Sequence, residues 1–239
     1  MTRREEYVKE YYESCMGEGQ VDKEVEAVGL FLADNVKGKV LDCGCGPVPQ
    51  VWAICMPDAT EIAAIDLPQE SIDFVKRKLV EKKDWYMKFY PYQKLIESAK
   101  GNLSSSYILN QVDKVKTVQQ ADMTKNIPFE DGHFDTVVSL YSLGVLRNEE
   151  ELDNAIINMA RVLKKGGKLL HVNTDGKNAN SILPEYTWRG LPQASEILTP
   201  FLEKHGFSSI TIKKVPLKDY EGERMYKYDA ISLLSAVKS

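Results

Sequence analysis

Three short stretches of the chain hold groups suited to binding a nucleoside: Asp42-Cys43-Gly44-Cys45-Gly46-Pro47, Asp66, and Ala121-Asp122-Met123-Thr124. In the first, glycine lets the backbone turn tightly and lets a ligand approach without meeting a Cβ. A dinucleotide fingerprint carries a third glycine in the pattern G-x-G-x-x-G. Here Pro47-Val48-Pro49 follows Gly46, which suits a pyrophosphate on a helix N-terminus poorly. Asp66 ends an apolar run, where an acid accepts from both hydroxyls of a ribose, in NAD and S-adenosylmethionine alike. With Pro68 and Gln69 following, Asp66 also suits a helix N-cap. Asp122 offers an acceptor to an adenine amine and Met123 an apolar surface to its ring; the alternative is a loop carboxylate in solvent. Asp42/Gly44, Asp66 and Asp122 at three strand ends make a coherent adenosine site.

The elements that must position these residues follow from periodicity. Lys39–Cys43 is short, apolar and preceded by glycine, which predicts a buried strand leading into the glycine loop. Glu61–Asp66 reads as the second strand, Val115–Gln120 as the third and Phe134–Leu140 as the fourth, after the turn Asp131-Gly132. Helices are expected at 49–56, Gln69–Lys82, Glu149–Leu163 and Ser195–His205. Lys165-Gly166-Gly167 reads as a helix stop before the strand Lys168–Val172, and two more strands fall at 208–215 and 229–237. The first thirty-five residues read as two helices, with Tyr7, Val8, Tyr11 and Tyr12 at helical spacing. Residues 84–114 break the alternation with six aromatic residues among lysines and serines, and read as an insertion. This order predicts an α/β fold with a wound, mainly parallel sheet. It is expected to be one domain over 1–239, with an N-terminal helical lid at 1–36.

Composition narrows the function classes. The 239 residues are 43% hydrophobic and 28% charged, with ample material for a core. A net charge of −4 argues against a broad nucleic-acid face, so no nucleic-acid partner is expected. No run is long and apolar enough to span a bilayer, and residues 1–7 do not enter a signal core, so a cytoplasmic protein without a membrane partner is expected. Cys15, Cys43, Cys45 and Cys55 are expected as free thiols, and no Cys/His set has metal-ligand spacing. His171 sits inside a strand and reads as a core histidine. No G-x-S-x-G or G-K-[ST] loop occurs, which removes common hydrolase templates.

The chain resembles the class I S-adenosylmethionine-dependent methyltransferases, and most closely their nicotinamide, phenylethanolamine and thioether family. Glu6-Tyr7-Val8-Lys9-Glu10-Tyr11-Tyr12 is similar to that family's N-terminal tyrosine helix, and Leu41–Pro47 matches its proline-ended glycine loop. Asp84-Trp85 and Asp122-Met123-Thr124 also match, while Leu163-Lys164-Lys165-Gly166-Gly167 is general to class I methyltransferases. The resemblance implies a Rossmann-like seven-stranded sheet with an antiparallel last strand. It implies S-adenosyl-L-methionine as cofactor, leaving as S-adenosyl-L-homocysteine. Tyr7 and Tyr12 would meet the methionine end and close the lid. Asp42, Gly44, Gly46 and Pro47 would approach the cofactor, Asp66 with Leu67 and Ser71 would hold the ribose, and Asp122 with Met123 the adenine. Leu140 and Tyr141 would lie beneath the methyl group. Three positions depart from the family: Gln50 for a tyrosine, Ser71 for an asparagine, and Asn173 where nicotinamide methylation uses an acid.

Methyl transfer from a sulfonium is an in-line displacement in which the protein aligns the reactants and excludes water. Tyr12, Asp175 and Tyr186 are the candidate catalytic side chains, with Glu185, Trp188 and Tyr141 as neighbouring pocket candidates. The expected partner is a small-molecule acceptor, an amine nitrogen first, and the expected state is monomer or weak dimer. Two other classes stay open: a silent S-adenosylmethionine-binding partner protein, and a nicotinamide-dependent oxidoreductase.

Overall fold

The computed structural model describes residues 3, 5–6, 8–9, 23–47, 55–81, 110–175, 180–181, 197–216, 226–227 and 230–239. They fall into two compact units, residues 1–121 and 122–239.

The first unit holds α1 (Lys23–Asn35), β1 (Gly38–Cys43), β2 (Ala59–Asp66), α2 (Gln69–Val80) and β3 (Val115–Gln120). β1 pairs parallel with β2, Val40 opposite Ile62, and β2 pairs parallel with β3, Ala64 opposite Val118. Val40–Cys43 and Ile62–Ile65 are buried without alternation, as strands covered on both faces must be. α2 buries Ser71, Ile72, Phe74 and Val75, a stripe at helical spacing. Val8, in the helical N-terminal stretch, packs against Phe74. Arg77 and Lys78 lie over the same ring, 5.3 and 5.6 Å from its centroid.

The second unit holds β4 (Phe134–Leu140), a 3-10 turn (Leu143–Val145), α3 (Glu149–Val162), β5 (Leu163–Asp175), β6 (Asn180–Ser181), α4 (Leu198–Lys204), β7 (Phe207–Pro216), β8 (Tyr226–Lys227) and β9 (Ala230–Lys238). β4 and β5 run parallel, Val138 opposite Leu170, and β9 is antiparallel to both β5 and β7. Among the described residues the strand order is β3-β2-β1-β4-β5-β9-β7, a seven-stranded sheet. This is the Rossmann-like arrangement that the resemblance implies, with the last strand in the chain reversed against its neighbours.

α3 shows why the local sequence folds as it does. The Asn148 side chain accepts from the Glu151 N–H at 2.9 Å, capping a first turn of three glutamates that suits the helix dipole. Leu152, Ala155, Ile156, Met159 and Ala160 then form the buried stripe. Asp153 accepts from Lys204 Nζ at 2.8 Å and His205 Nε2 at 2.7 Å, which ties α3 to α4.

Two expectations need correction. The helix stop expected at Lys165-Gly166-Gly167 lies earlier, and β5 starts directly at Leu163. The pairing passes from Phe134–Leu163 to Thr136–Lys168, so the residues between are absorbed as an irregularity within the strand. The two-residue pair β6–β8 was not foreseen, because two residues carry no periodic signal. Most of the 84–114 insertion lies outside the described residues; within it, residues 110–112 are helical.

Candidate functional site

In the first unit the glycine loop is held by hydrogen bonds to the end of β2. Gly44 and Gly46 have φ of 75° and 56°, in the left-handed region that costs a side-chain-bearing residue about 1–2 kcal/mol. The N–H groups of Gly44 and Cys45 donate to the Ile65 carbonyl at 2.8 and 3.1 Å. The Gly46 N–H donates to Asp66 Oδ2 at 2.7 Å, and the Leu67 N–H to Asp66 Oδ1 at 2.7 Å. Each carboxylate oxygen therefore takes one backbone donor and keeps a second lone pair for a ligand. Burial pushes the Asp66 carboxyl up to about 6, although the Leu67 and Gly46 donors pull it down. The N-cap reading of Asp66 gives way to this latch: the N-cap of α2 is Pro68, with no side-chain capping bond.

Around this latch, Asp42 is buried at the end of β1, Pro47 is buried, and Ser71 is buried in the first turn of α2. Leu67 is the opposite case, a large apolar side chain 59% exposed beside the ribose-binding candidate. Cys43, Cys45 and Cys55 are free thiols, and burial pushes each up, Cys55 to about 12. Thiols held protonated in this way are poor nucleophiles.

In the second unit, Asp122 is tied into its own turn. Its Oδ1 accepts from the Thr124 N–H at 2.9 Å and the Thr124 hydroxyl at 2.6 Å, while Oδ2 lies 3.5 Å from Lys125 Nζ. Burial works to raise its carboxyl, but the bonds from Thr124 and Lys125 outweigh it and hold Asp122 below the usual range. The Met123 carbonyl accepts from Asn158 Nδ2 at 2.9 Å, so α3 fixes the segment. Arg161, also on α3, donates to the carbonyls of Ile127 and Phe129 and to the side chains of Asn126 and Asp131. The Asp122 segment and the loop after it are thus mounted on a helix.

Leu140 and Tyr141 lie where β4 ends. Tyr141 has φ 58°, a left-handed backbone unusual for an aromatic residue, and its N–H donates to the Val172 carbonyl at 2.8 Å. The Ser139 and Ser142 hydroxyls meet at 2.7 Å across the same turn. Strain of this kind clusters at functional sites. We predict that Tyr141→Gly is more stable than Tyr141→Ala by about 1 kcal/mol in urea melts, since both lose the ring and only glycine relieves the positive φ. Equal or lower stability of the glycine variant than of the alanine variant contradicts the strain.

His171 is a core histidine, as its place in a strand predicts. Its Nδ1 lies 2.9 Å from the Ser139 carbonyl, so that nitrogen carries the proton, and Nε2 is buried with no partner among the described residues. Burial holds the imidazole down to about 4, against the pull of the Ser139 bond. A base depressed in the folded state contributes stability that is lost as pH falls from about 6.5 toward 4, by up to about 1.4 kcal/mol per unit. Raised Asp66 contributes the opposite slope between about 3.8 and 6. His171→Phe is therefore expected to flatten the acid limb of the stability–pH profile, measured by urea melts; an unchanged limb contradicts it.

The structure brings Gly44, Gly46, Asp66 and Leu67 into one hydrogen-bonded cluster, and sets Leu140, Tyr141 and Asn173 at adjoining strand ends. Tyr7, Tyr12, Glu185, Tyr186 and Trp188 lie outside the described residues, and of Asp175 only the backbone, closing β5, is described. Sequence reasoning missed Ser139, Ser142 and Gly144. The available signal was a set of small polar residues in and just after an otherwise apolar strand. No helix among the described residues is long and apolar enough to cross a membrane, and none of their His, Cys, Asp and Glu clusters could hold a metal.

Among known proteins, the ubiquinone/menaquinone biosynthesis C-methyltransferase UbiE of Francisella tularensis (strain WY96-3418) is 27% identical over 139 residues, 57% of this chain and 52% of its own length. The UbiE of Shewanella sp. (strain W3-18-1) is 30% identical over 129 residues, 52% of this chain and 48% of its own. The chain spans about half the length of the curated relatives it matches. Among solved structures, the N-methyltransferase NodS of Bradyrhizobium japonicum WM9, in complex with S-adenosyl-L-homocysteine, superposes with TM-score 0.62 at 13% identity, covering 99% of both chains. Phosphoethanolamine N-methyltransferase 2 of Haemonchus contortus, in complex with S-adenosyl-L-methionine, does so with TM-score 0.62 at 15% identity, over 98% of this chain and 57% of its own. At such identities the superpositions speak for the fold. Residues 41–171, from the end of β1 through His171 of β5, match the family model described as a methyltransferase domain, and the chain belongs to that family.

Proposed function

We propose that the chain transfers a methyl group from S-adenosyl-L-methionine to a small molecule by in-line displacement. The observation that carries this reading is the Asp66 latch. Its two oxygens are pinned by the Gly46 and Leu67 N–H groups and keep a lone pair each for the two ribose hydroxyls. The loop it holds lacks the third glycine of a dinucleotide site, which counts against the nicotinamide-dependent reading. Asp122 and Met123 serve the adenine, and Tyr7 and Tyr12 the methionine end. Leu140 and the strained Tyr141 serve the methyl side.

S-adenosyl-L-methionine supplies an activated methyl on a cationic sulfur, so this chain's residues need only bind, orient and exclude water. An acceptor amine with a pKa near that of lysine must first lose a proton, and Asp175, Tyr12 and Tyr186 are the candidates to receive it. His171 is not: it is fully buried, and its Nδ1 proton is engaged by Ser139.

An amine nitrogen is the first acceptor class, in keeping with the motif resemblance to nicotinamide, phenylethanolamine and thioether methyltransferases and with the N-methyltransferases named above. A carbon acceptor is the second reading, because the curated relatives are C-methyltransferases. Transfer of a tritiated methyl group to a panel of amines, thioethers, indoles and quinols separates them. Label on an amine is the expected result; label on a quinol carbon supports the second reading. Cofactor binding with transfer to none of them counts against both acceptor classes and favours a silent binder or an unusual acceptor.

A further inference from the structure

A strand at the end of a sheet carries backbone groups on its outer side that no neighbouring strand pairs, and such an edge is a template for another chain. β3 stands at one end of the strand order and pairs along one side with β2. Among the described residues no strand lies on its other side, where alternate N–H and C=O groups of Val115–Gln120 face outward.

The edge borders a groove. A space of about 410 Å³ lies between β3 and α2, lined by Lys76 and Leu79 of the helix and by residues 115–119 of the strand. Leu79 and Val115 are only half-buried there, and Val80, next along α2, is 83% exposed. Lys76 and Lys116 are both exposed beside these apolar side chains. Lys116 Nζ donates to the Asp113 carbonyl at 2.8 Å, which leaves two further N–H groups. No acidic side chain lines the groove.

The two lysines choose between occupants. Pairing with β3 of a second copy would bring lysines against lysines, and like charges facing across a sheet are destabilising. A strand that alternates acidic and apolar residues meets the lysines with one face and Leu79 and Val115 with the other.

We propose that the groove between β3 and α2 docks an extended acidic segment of a partner protein, which adds to the sheet as a further strand beside β3. Main-chain hydrogen bonds supply the affinity, and Lys76 and Lys116 select the sequence. No groove residue belongs to the candidate cofactor set, so the inference stands apart from the methyl-transfer reading.

The test uses the full chain and three peptides of six residues, the length of β3. One alternates glutamate with valine, one lysine with valine, and one glutamate with proline, which removes every second backbone donor. The glutamate–valine peptide should bind about tenfold more tightly than either of the others. In 15N spectra it should shift the amides of residues 115–119. Lys116→Glu loses an attraction and gains a repulsion, so the order of the first two peptides should reverse. Lys76→Glu should act in the same direction and serves if Lys116→Glu does not fold; urea melts report folding. Equal affinity for the three peptides, no binding of the glutamate–valine peptide, shifts confined to other residues, or an unchanged order in a folded variant overturns the proposal. Slow hydrogen exchange at the outward amides of β3 in the free chain also overturns it, since the chain would then cover its own edge. So does self-association through residues 115–119, since the occupant would then be a second copy.

Discussion

Asp66→Ala is expected to weaken S-adenosylhomocysteine binding by about 2–3 kcal/mol, because hydrogen bonds to a charged group are worth more than neutral ones. That corresponds to roughly 30- to 150-fold in Kd by calorimetry. The alanine variant loses the ribose acceptor and also frees the Gly46 and Leu67 N–H groups, so the loop loses its latch. The accompanying pH dependence separates the two roles. With the carboxyl pushed up to about 6, affinity should be flat near neutrality and fall as pH drops below that value, by up to about tenfold per unit. Between pH 5 and 7 the ligand's own amino and carboxyl groups do not titrate, so the slope reports the protein. Asp66→Asn, which cannot ionise, should bind more weakly and show no slope. Full affinity in Asp66→Ala contradicts the ribose assignment.

Gly46→Ala has the second large effect, and here two magnitudes compete. No atom lies within 4 Å of a Cβ at this position, so the protein itself has room for the methyl group. The left-handed φ of 56° limits the cost to the fold to about 1–2 kcal/mol. A cofactor approaching the loop backbone would meet that same methyl group at van der Waals range. The expected result is a modest loss in urea midpoint together with a loss of S-adenosylhomocysteine affinity larger than the stability change. Unaltered affinity, with the midpoint lowered, would remove the loop from the site and leave it a structural turn.

The parts of the fold that were legible are those with a repeating pattern. Val115–Gln120 and Phe134–Leu140 form strands at the bounds their composition predicts, because turn residues such as Asp131 and Gly132 punctuate them. The stripe from Leu152 to Ala160 likewise located α3. The junction from Val162 to Lys168 was not legible, since the glycine pair reads equally as a helix stop and as a strand irregularity.

The site divides along the same line. The glycine loop and Asp66 were visible as residue types at fixed places relative to strands. The Asp66–Gly46 bond that joins them was not, because it depends on how β1 and β2 pair. Tyr141's backbone could not be anticipated either: tyrosine has no preference for positive φ, and only the packing of β4 on β5 imposes it.

The latch at Asp66 and Gly46 is the centre of the functional account, and cofactor choice tests it most directly. Calorimetric titration of the full chain with S-adenosylmethionine, S-adenosylhomocysteine and NAD should show binding of the first two, lost together in Asp66→Ala, and none of NAD. Tight binding of NAD alone would contradict the account.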